Sequence, residues 1–234
     1  MSYNRIFVVI SGLLFLAGAS SCSKELARIN QNPNAVQNPQ PAYLLTGAIK
    51  TACDDYWNVG AADASGNPSS LFVQYWAAIQ YTDQDRYIFA NTGFQGFWTN
   101  LYSGSIVNLD EIIKQARDEN NPNYQGIALV LRSWNYCLLT DAFGDIPYSQ
   151  SMQIQQYPTP AYDPQQQVYE GLLNDLDTAQ SLLNPNGDAV NGDIIYGGNI
   201  NEWKKFDNSL RLRIALRIAD REPDLAKAVI QNIA

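Results

Sequence analysis

NYQGIALVLRSWNYCLLTDAFGDIPY, residues Asn123 to Tyr148, decides the fold class. Ile127, Leu131, Trp134 and Leu138 recur at steps of four, three and four. That spacing places apolar side chains on one face of an α-helix. The helix is expected over Tyr124 to Thr140, ending in the turn Phe143-Gly144-Asp145-Ile146-Pro147. There Asp141 and Asp145 can accept backbone N–H groups, Gly144 can take a positive φ and Pro147 stops the helix.

The same period extends outward on both sides. Upstream, Ile106, Leu109, Ile113 and Ala116 mark a helix over Trp98 to Asp118, stopped by Asn120-Asn121-Pro122. Downstream, Asp163-Pro164 supplies an N-cap and a first-turn proline for a helix carrying Val168, Leu172, Leu176, Ala179 and Leu183. A loop of Gly, Asn and Asp then runs to Asn199, and Asn201 is the expected cap of a helix with Trp203, Phe206, Leu210, Ile214 and Ile218 inside. Another helix starts at Leu225, after Pro223-Asp224. Nearer the start, Tyr43 to Asp54 is one-sided. Pro68 opens a stripe of Leu71, Phe72, Tyr75, Trp76 and Ile79, whose helical spacing favours core packing for Tyr75, Trp76 and Trp98. Strand-rich stretches are lacking, so the expected fold is mainly α: antiparallel helical pairs with irregular loop insertions.

The first residues form a leader. Arg5 is followed by the apolar run Ile6 to Ala17, too short to cross a bilayer, then by Gly18, Ala19, Ser20, Ser21 and Cys22. Small residues directly before a cysteine resemble a bacterial lipoprotein box. The expectation is a signal peptide over 1–21, lipid on Cys22, an Asn- and Pro-rich tether over 22–41, and a helical domain over 42–234. Ala234 falls in mid-helix, which reads as the N-terminal part of a longer protein.

Charge and composition exclude several functions. The chain carries a net charge of −8, against nucleic acid, whose phosphates require Lys and Arg clusters. It has no histidine, so Ser-His-Asp and Cys-His catalysis are ruled out. With Cys22 on lipid, Cys53 and Cys137 remain, expected as buried free thiols, and too few for a zinc site. Asp188, Asn191 and Asp193 lack the spacing of a calcium loop. No cofactor is called for.

Three motifs carry a resemblance. They are Thr-Asp-Ala-Phe-Gly-Asp-Ile-Pro-Tyr (Thr140 to Tyr148), Tyr-Asp-Pro-Gln-Gln-Gln-Val-Tyr (Tyr162 to Tyr169) and Trp-Lys-Lys-Phe-Asp-Asn-Ser-Leu-Arg-Leu-Arg (Trp203 to Arg213). In this order, behind a lipoprotein leader and Asn32-Pro33-Asn34, they resemble the SusD/RagB-like lipoproteins of Bacteroidetes. Asp207 departs from the pattern, which has a small residue there. The resemblance implies a tetratricopeptide-like scaffold, palmitate-type lipid anchoring at the outer membrane and a SusC-like TonB-dependent transporter as partner. It implies capture of oligosaccharides or peptides without chemistry.

Sugar binding needs flat apolar faces under ring C–H groups and a few polar side chains for the hydroxyls. Trp57, Tyr81, Asp83, Arg86, Tyr87 and Trp98 supply both within or beside loops. Tyr81 and Tyr87 stand out, because no helical stripe accounts for them. Two other readings compete. One is a helical-repeat interaction protein with a bare apolar groove, and the other is a hydrolase with two facing carboxylates.

Overall fold

A computed structural model describes residues 39–58, 68–88 and 94–233, with only the backbone of Trp57, Asn58, Pro68 and Ser69. The leader, Cys22 and the tether up to residue 38 lie outside the described residues, as does the Trp57 side chain.

Among the described residues eight α-helices follow in chain order. They are α1 (Pro41–Asn58), α2 (Pro68–Phe72), α3 (Gln95–Asn100), α4 (Val107–Asp118), α5 (Pro122–Phe143), α6 (Gln165–Leu182), α7 (Ile200–Ile218) and α8 (Pro223–Ile233). A π-turn, Leu101–Ile106, joins α3 to α4, so the helix expected from Trp98 to Asp118 exists with a bulge in it. Among the described residues the strand pairing is one isolated antiparallel bridge, Ile146 with Asp163.

Helix α5 is the axis of the fold. It is buried along most of its length, from Asn123 to Thr140, and α4, α6 and α7 pack round it. Sequence neighbours pair: α4 with α5, α5 with α6, and α7 with α8. The expected core positions Leu131, Trp134, Leu172, Leu176, Leu210 and Ile214 are all buried. One polar group pins the π-turn between helices. The Ser105 hydroxyl donates to the Ala48 carbonyl of α1 at 3.0 Å and accepts from Asn135 Nδ2 of α5 at 2.6 Å. Gly104 lies against α1, where a Cβ would stand 2.9 Å from Thr51 Cγ2.

Helix ends show what local sequence signals miss. Asn121 caps α5 through the Tyr124 amide, and Gly144 ends it at φ 78°. Asp163 does not cap α6. Its carboxylate instead accepts Tyr148 N at 2.9 Å, Ser149 N at 2.8 Å and Ser149 Oγ at 2.7 Å. The first amide of α6, Gln165 N, donates to Asp145 Oδ1 at 2.9 Å, so the cap comes from the turn after α5. Asn199, two residues before the expected position, caps α7.

The loop before α7 is built on Asp193. Its carboxylate accepts Ile195 N, Tyr196 N, Gly198 N and the buried Trp203 indole N–H, the last at 2.7 Å. This is a turn anchor, as the missing calcium spacing implied. Gly192, at φ 81°, has the Ala42 carbonyl where a Cβ would stand at 2.1 Å. The start of α1 therefore seats directly on this loop.

Two expectations are corrected. The stripe from Leu71 to Ile79 is not one helix face. Helix α2 stops at Phe72, because Tyr75 N bonds Ser70 O and Gln74 N bonds Leu71 O, with Gln74 at φ 60°. That pair of bonds is a Schellman ending, here made without glycine. Leu71 is buried, whereas Tyr75 is 83% and Ile79 99% exposed, and Trp76 is exposed too. Cys53 is exposed rather than buried, while Cys137 is buried, and both thiols are free.

Candidate ligand-binding surface

The segment after α2 presents aromatic side chains that its own backbone keeps out of the core. Gln74, Tyr81 and Tyr87 adopt left-handed backbone with φ between 56° and 60°. Residues with side chains avoid that region, and bulky ones especially so. Such strain persists only where surrounding contacts over-determine it, and it concentrates at functional sites. Here the contacts are visible. Asp85 Oδ2 accepts Ala78 N at 2.8 Å, Ile88 N bonds Asp83 O at 2.8 Å, and a 3₁₀ turn spans Gln84–Arg86.

The expected site residues divide by role. Tyr81 is 85% exposed, and its ring and hydroxyl have no partner among the described residues. Asp83 and Arg86 are exposed beside it, without a side-chain bond among the described residues. Tyr87 is held. Its hydroxyl donates to the Phe72 carbonyl, and its ring stacks on Phe72 at 6.2 Å between centroids. Phe72 in turn meets Phe94 at 6.3 Å, and Phe94 immediately precedes α3, which carries Trp98. A line of rings thus connects Tyr87 to the start of α3.

Trp98 is half-buried and sits in a second cluster. It meets Tyr102 at 4.9 Å, Phe143 edge-on at 5.1 Å, and Tyr162 nearly parallel at 6.1 Å. Tyr162 is 63% exposed and is not among the expected ligand residues. Its sequence signal is its place at the head of the motif Tyr162 to Tyr169, in a polar loop between Pro160 and Pro164.

The acidic residues of the Thr140 to Tyr148 turn have other partners. Asp141 Oδ1 accepts the Tyr169 hydroxyl at 2.6 Å and pairs with Arg217 at 3.1 Å. Asp145 caps α6. Burial pushes the Asp163 carboxyl up, but its bonds from Ser149 and Tyr148 outweigh burial and hold it below its ordinary value. Among the described residues no group of three or more His, Cys, Asp or Glu is placed to hold a metal ion. No described helix is long and apolar enough to cross a membrane.

Comparison with known proteins agrees with this architecture. The profile of a SusD-like family described as "Starch-binding associating with outer membrane" matches residues 33–234. A chitin-binding protein of solved structure is 32% identical, with a TM-score of 0.69 over 82% of this chain and 43% of that one. A Bacteroidetes SusD-like protein is 28% identical, with a TM-score of 0.68 over 83% of this chain and 36% of that one. A SusD homolog from Bacteroides fragilis NCTC 9343 is 26% identical, with a TM-score of 0.61 over 78% and 36%. No curated protein matches the chain. The chain spans less than half the length of these solved relatives. With its helical pairs, its three motifs and a family profile matching from residue 33 to 234, the chain belongs to the SusD-like family associated with the outer membrane.

Proposed function

We propose that this chain belongs to a lipid-anchored surface protein that captures oligosaccharides and hands them to a SusC-like TonB-dependent transporter, without catalysis. Cys22 is the lipid attachment site and residues 1–21 are the signal peptide. The ligand surface runs from Tyr81 to Trp98. Tyr81 is the stacking ring, and Asp83 and Arg86 bond hydroxyls. Tyr87 sets the loop while staying exposed, and Trp98 and Trp57 are the further aromatic residues offered to the ligand.

The observation that carries this reading is an exposed aromatic loop held in strained backbone on an otherwise well-packed helical scaffold. A solved relative named as chitin-binding supports a saccharide as the ligand class. Asp141 and Asp145 serve a hydrogen-bond knot and a helix cap, which speaks against the hydrolase reading.

Calorimetry of the full-length soluble protein against chitin, starch and other plant and fungal oligosaccharides tests the ligand class. Saturable binding of at least one is expected, and its absence across the panel overturns the reading. The anchor has its own test. Cys22→Ala should abolish palmitate labelling and move the exported protein to the soluble fraction.

A further inference from the structure

Two cavities meet at Gln153 on the flank of α5. One, about 380 Å³, is polar, with Asp110, Arg132, Tyr136, Ser149 and Ser151 in its walls. The other, about 360 Å³, is largely apolar, with Tyr102, Val107, Ile154, Tyr157 and Pro158 in its walls. Both volumes lie in the range of small-molecule sites.

The polar cup is fixed by its own bonds. Arg132 reaches from α5 to Asp110 at 2.9 Å and Asp175 at 3.0 Å. Tyr148 Oη donates to Asp175 at 3.0 Å, Ser151 Oγ donates to the Tyr148 carbonyl at 2.7 Å, and the Ser151 and Tyr136 hydroxyls pair. Gln153 Nε2 donates to the Ser149 carbonyl at 2.9 Å. Walls held this way need little reordering when a ligand arrives.

The chemistry narrows the occupant. One guanidinium faces two carboxylates, so the cup is net negative and disfavours anions. Burial pushes the Tyr136 phenol up to about 12, and it stays a neutral hydroxyl at physiological pH. Asp110 Oδ2 and Gln153 Oε1 have no partner among the described residues, so they offer acceptors to hydroxyl or amine donors. Beyond Gln153 the walls turn apolar and aromatic. A ligand that fits is polar at its edge, apolar on one face, and neutral or cationic. A pyranose ring has that character.

We infer that this double cavity is a second saccharide subsite. It takes a neutral or amino sugar whose hydroxyls bond Asp110 and Gln153 and whose C–H face rests on Tyr157. The inference rests on the saccharide-binding reading but uses none of the Tyr81 to Trp98 surface.

The test is calorimetry of the full-length protein with chitohexaose and maltoheptaose. Native protein, Gln153→Trp, Asp110→Asn and Tyr81→Ala are measured in parallel. Gln153 lies on an exposed loop, so its tryptophan variant fills the cavity mouth without disturbing the core. Gln153→Trp and Asp110→Asn should each weaken the sugar that binds about tenfold, a loss of ~1.4 kcal/mol. The melting temperature of Gln153→Trp should stay unchanged. Native affinity in both variants, with a loss in Tyr81→Ala, overturns the subsite and leaves the main reading standing. No binding of either sugar to native protein overturns both.

Discussion

The Tyr169 hydroxyl of α6 donates to Asp141 Oδ1 of α5 across 2.6 Å, and Arg217 of α7 reaches the same oxygen at 3.1 Å. Each partner comes from or beside a different one of the three motifs, so three separated stretches meet at one carboxylate oxygen. Three helices are joined there near the C-terminal end of α5. Tyr169 is buried, and burial together with the Asp141 bond pushes its phenol well above the ordinary range, so it remains a donor. Tyr169→Phe keeps the ring and removes only the bond. The expected loss is about 1.5–3 kcal/mol, the worth of a bond to a charged group, read from urea midpoints. A change within error would mean that Arg217 alone satisfies Asp141.

Helix α6 begins with a cap from outside itself. Asp145→Ala leaves the Gln165 amide without its acceptor and should cost ~0.5–2 kcal/mol, as lost N-caps do. Helical circular dichroism should be retained, because Val168, Leu172 and Leu176 still pack. Asp163→Ala makes a useful contrast. It should loosen the Tyr148–Ser149 turn instead, seen as faster amide exchange at those two residues.

Asp207 stands fully buried on α7, with neither carboxylate oxygen bonded among the described residues. Burial raises its carboxyl from the ordinary value to about 7, with Asp177 adding to the rise and Arg211 and Lys204 opposing it. An unfolded aspartate titrates near 3.9. Between those values the folded chain holds a proton that the unfolded chain has released. Stability is therefore fullest below pH ~4 and falls as pH rises toward ~7, by up to ~1.4 kcal/mol per pH unit. Asp207→Asn mimics the protonated form and removes this slope. Denaturation midpoints at pH 4, 6 and 8 should converge with native at the acid end and exceed it at the alkaline end. Parallel curves would show that Asp207 is ionised in the folded protein.

The Tyr81 and Tyr87 variants should separate ligand contact from scaffold. Tyr81→Ala removes an exposed ring without partners, so its melting temperature should hold while affinity falls. A well-buried stacking face is worth about 1.5–3 kcal/mol, roughly ten- to hundredfold in affinity. Tyr87→Ala also frees the Phe72 carbonyl and unstacks the loop, so it should lose both affinity and local order. Full affinity in both variants would move the site away from this loop.

Helical periods place α4 to α8 correctly from sequence, because a buried face repeats every three or four residues whatever its neighbours are. The irregular stretch around Tyr81 and Tyr87 was legible as well, since no period explains their rings, whereas Gln95 to Phe97 belong to α3. The end of α2 was not. A Schellman turn usually announces itself with glycine, and Gln74 takes the left-handed conformation without one.

The sequence by itself determined α1 and α4 to α8 and their inner faces, since periodicity is a property of the chain alone. It also marked the three motifs and the aromatic loop. Only the tertiary structure decided partners. Asp145 rather than Asp163 caps α6, Asp141 gathers Tyr169 and Arg217, and Tyr162 comes to lie beside Trp98. A carboxylate's hydrogen-bond preferences are local, but which donor reaches it depends on where helix packing brings residues far apart in the chain.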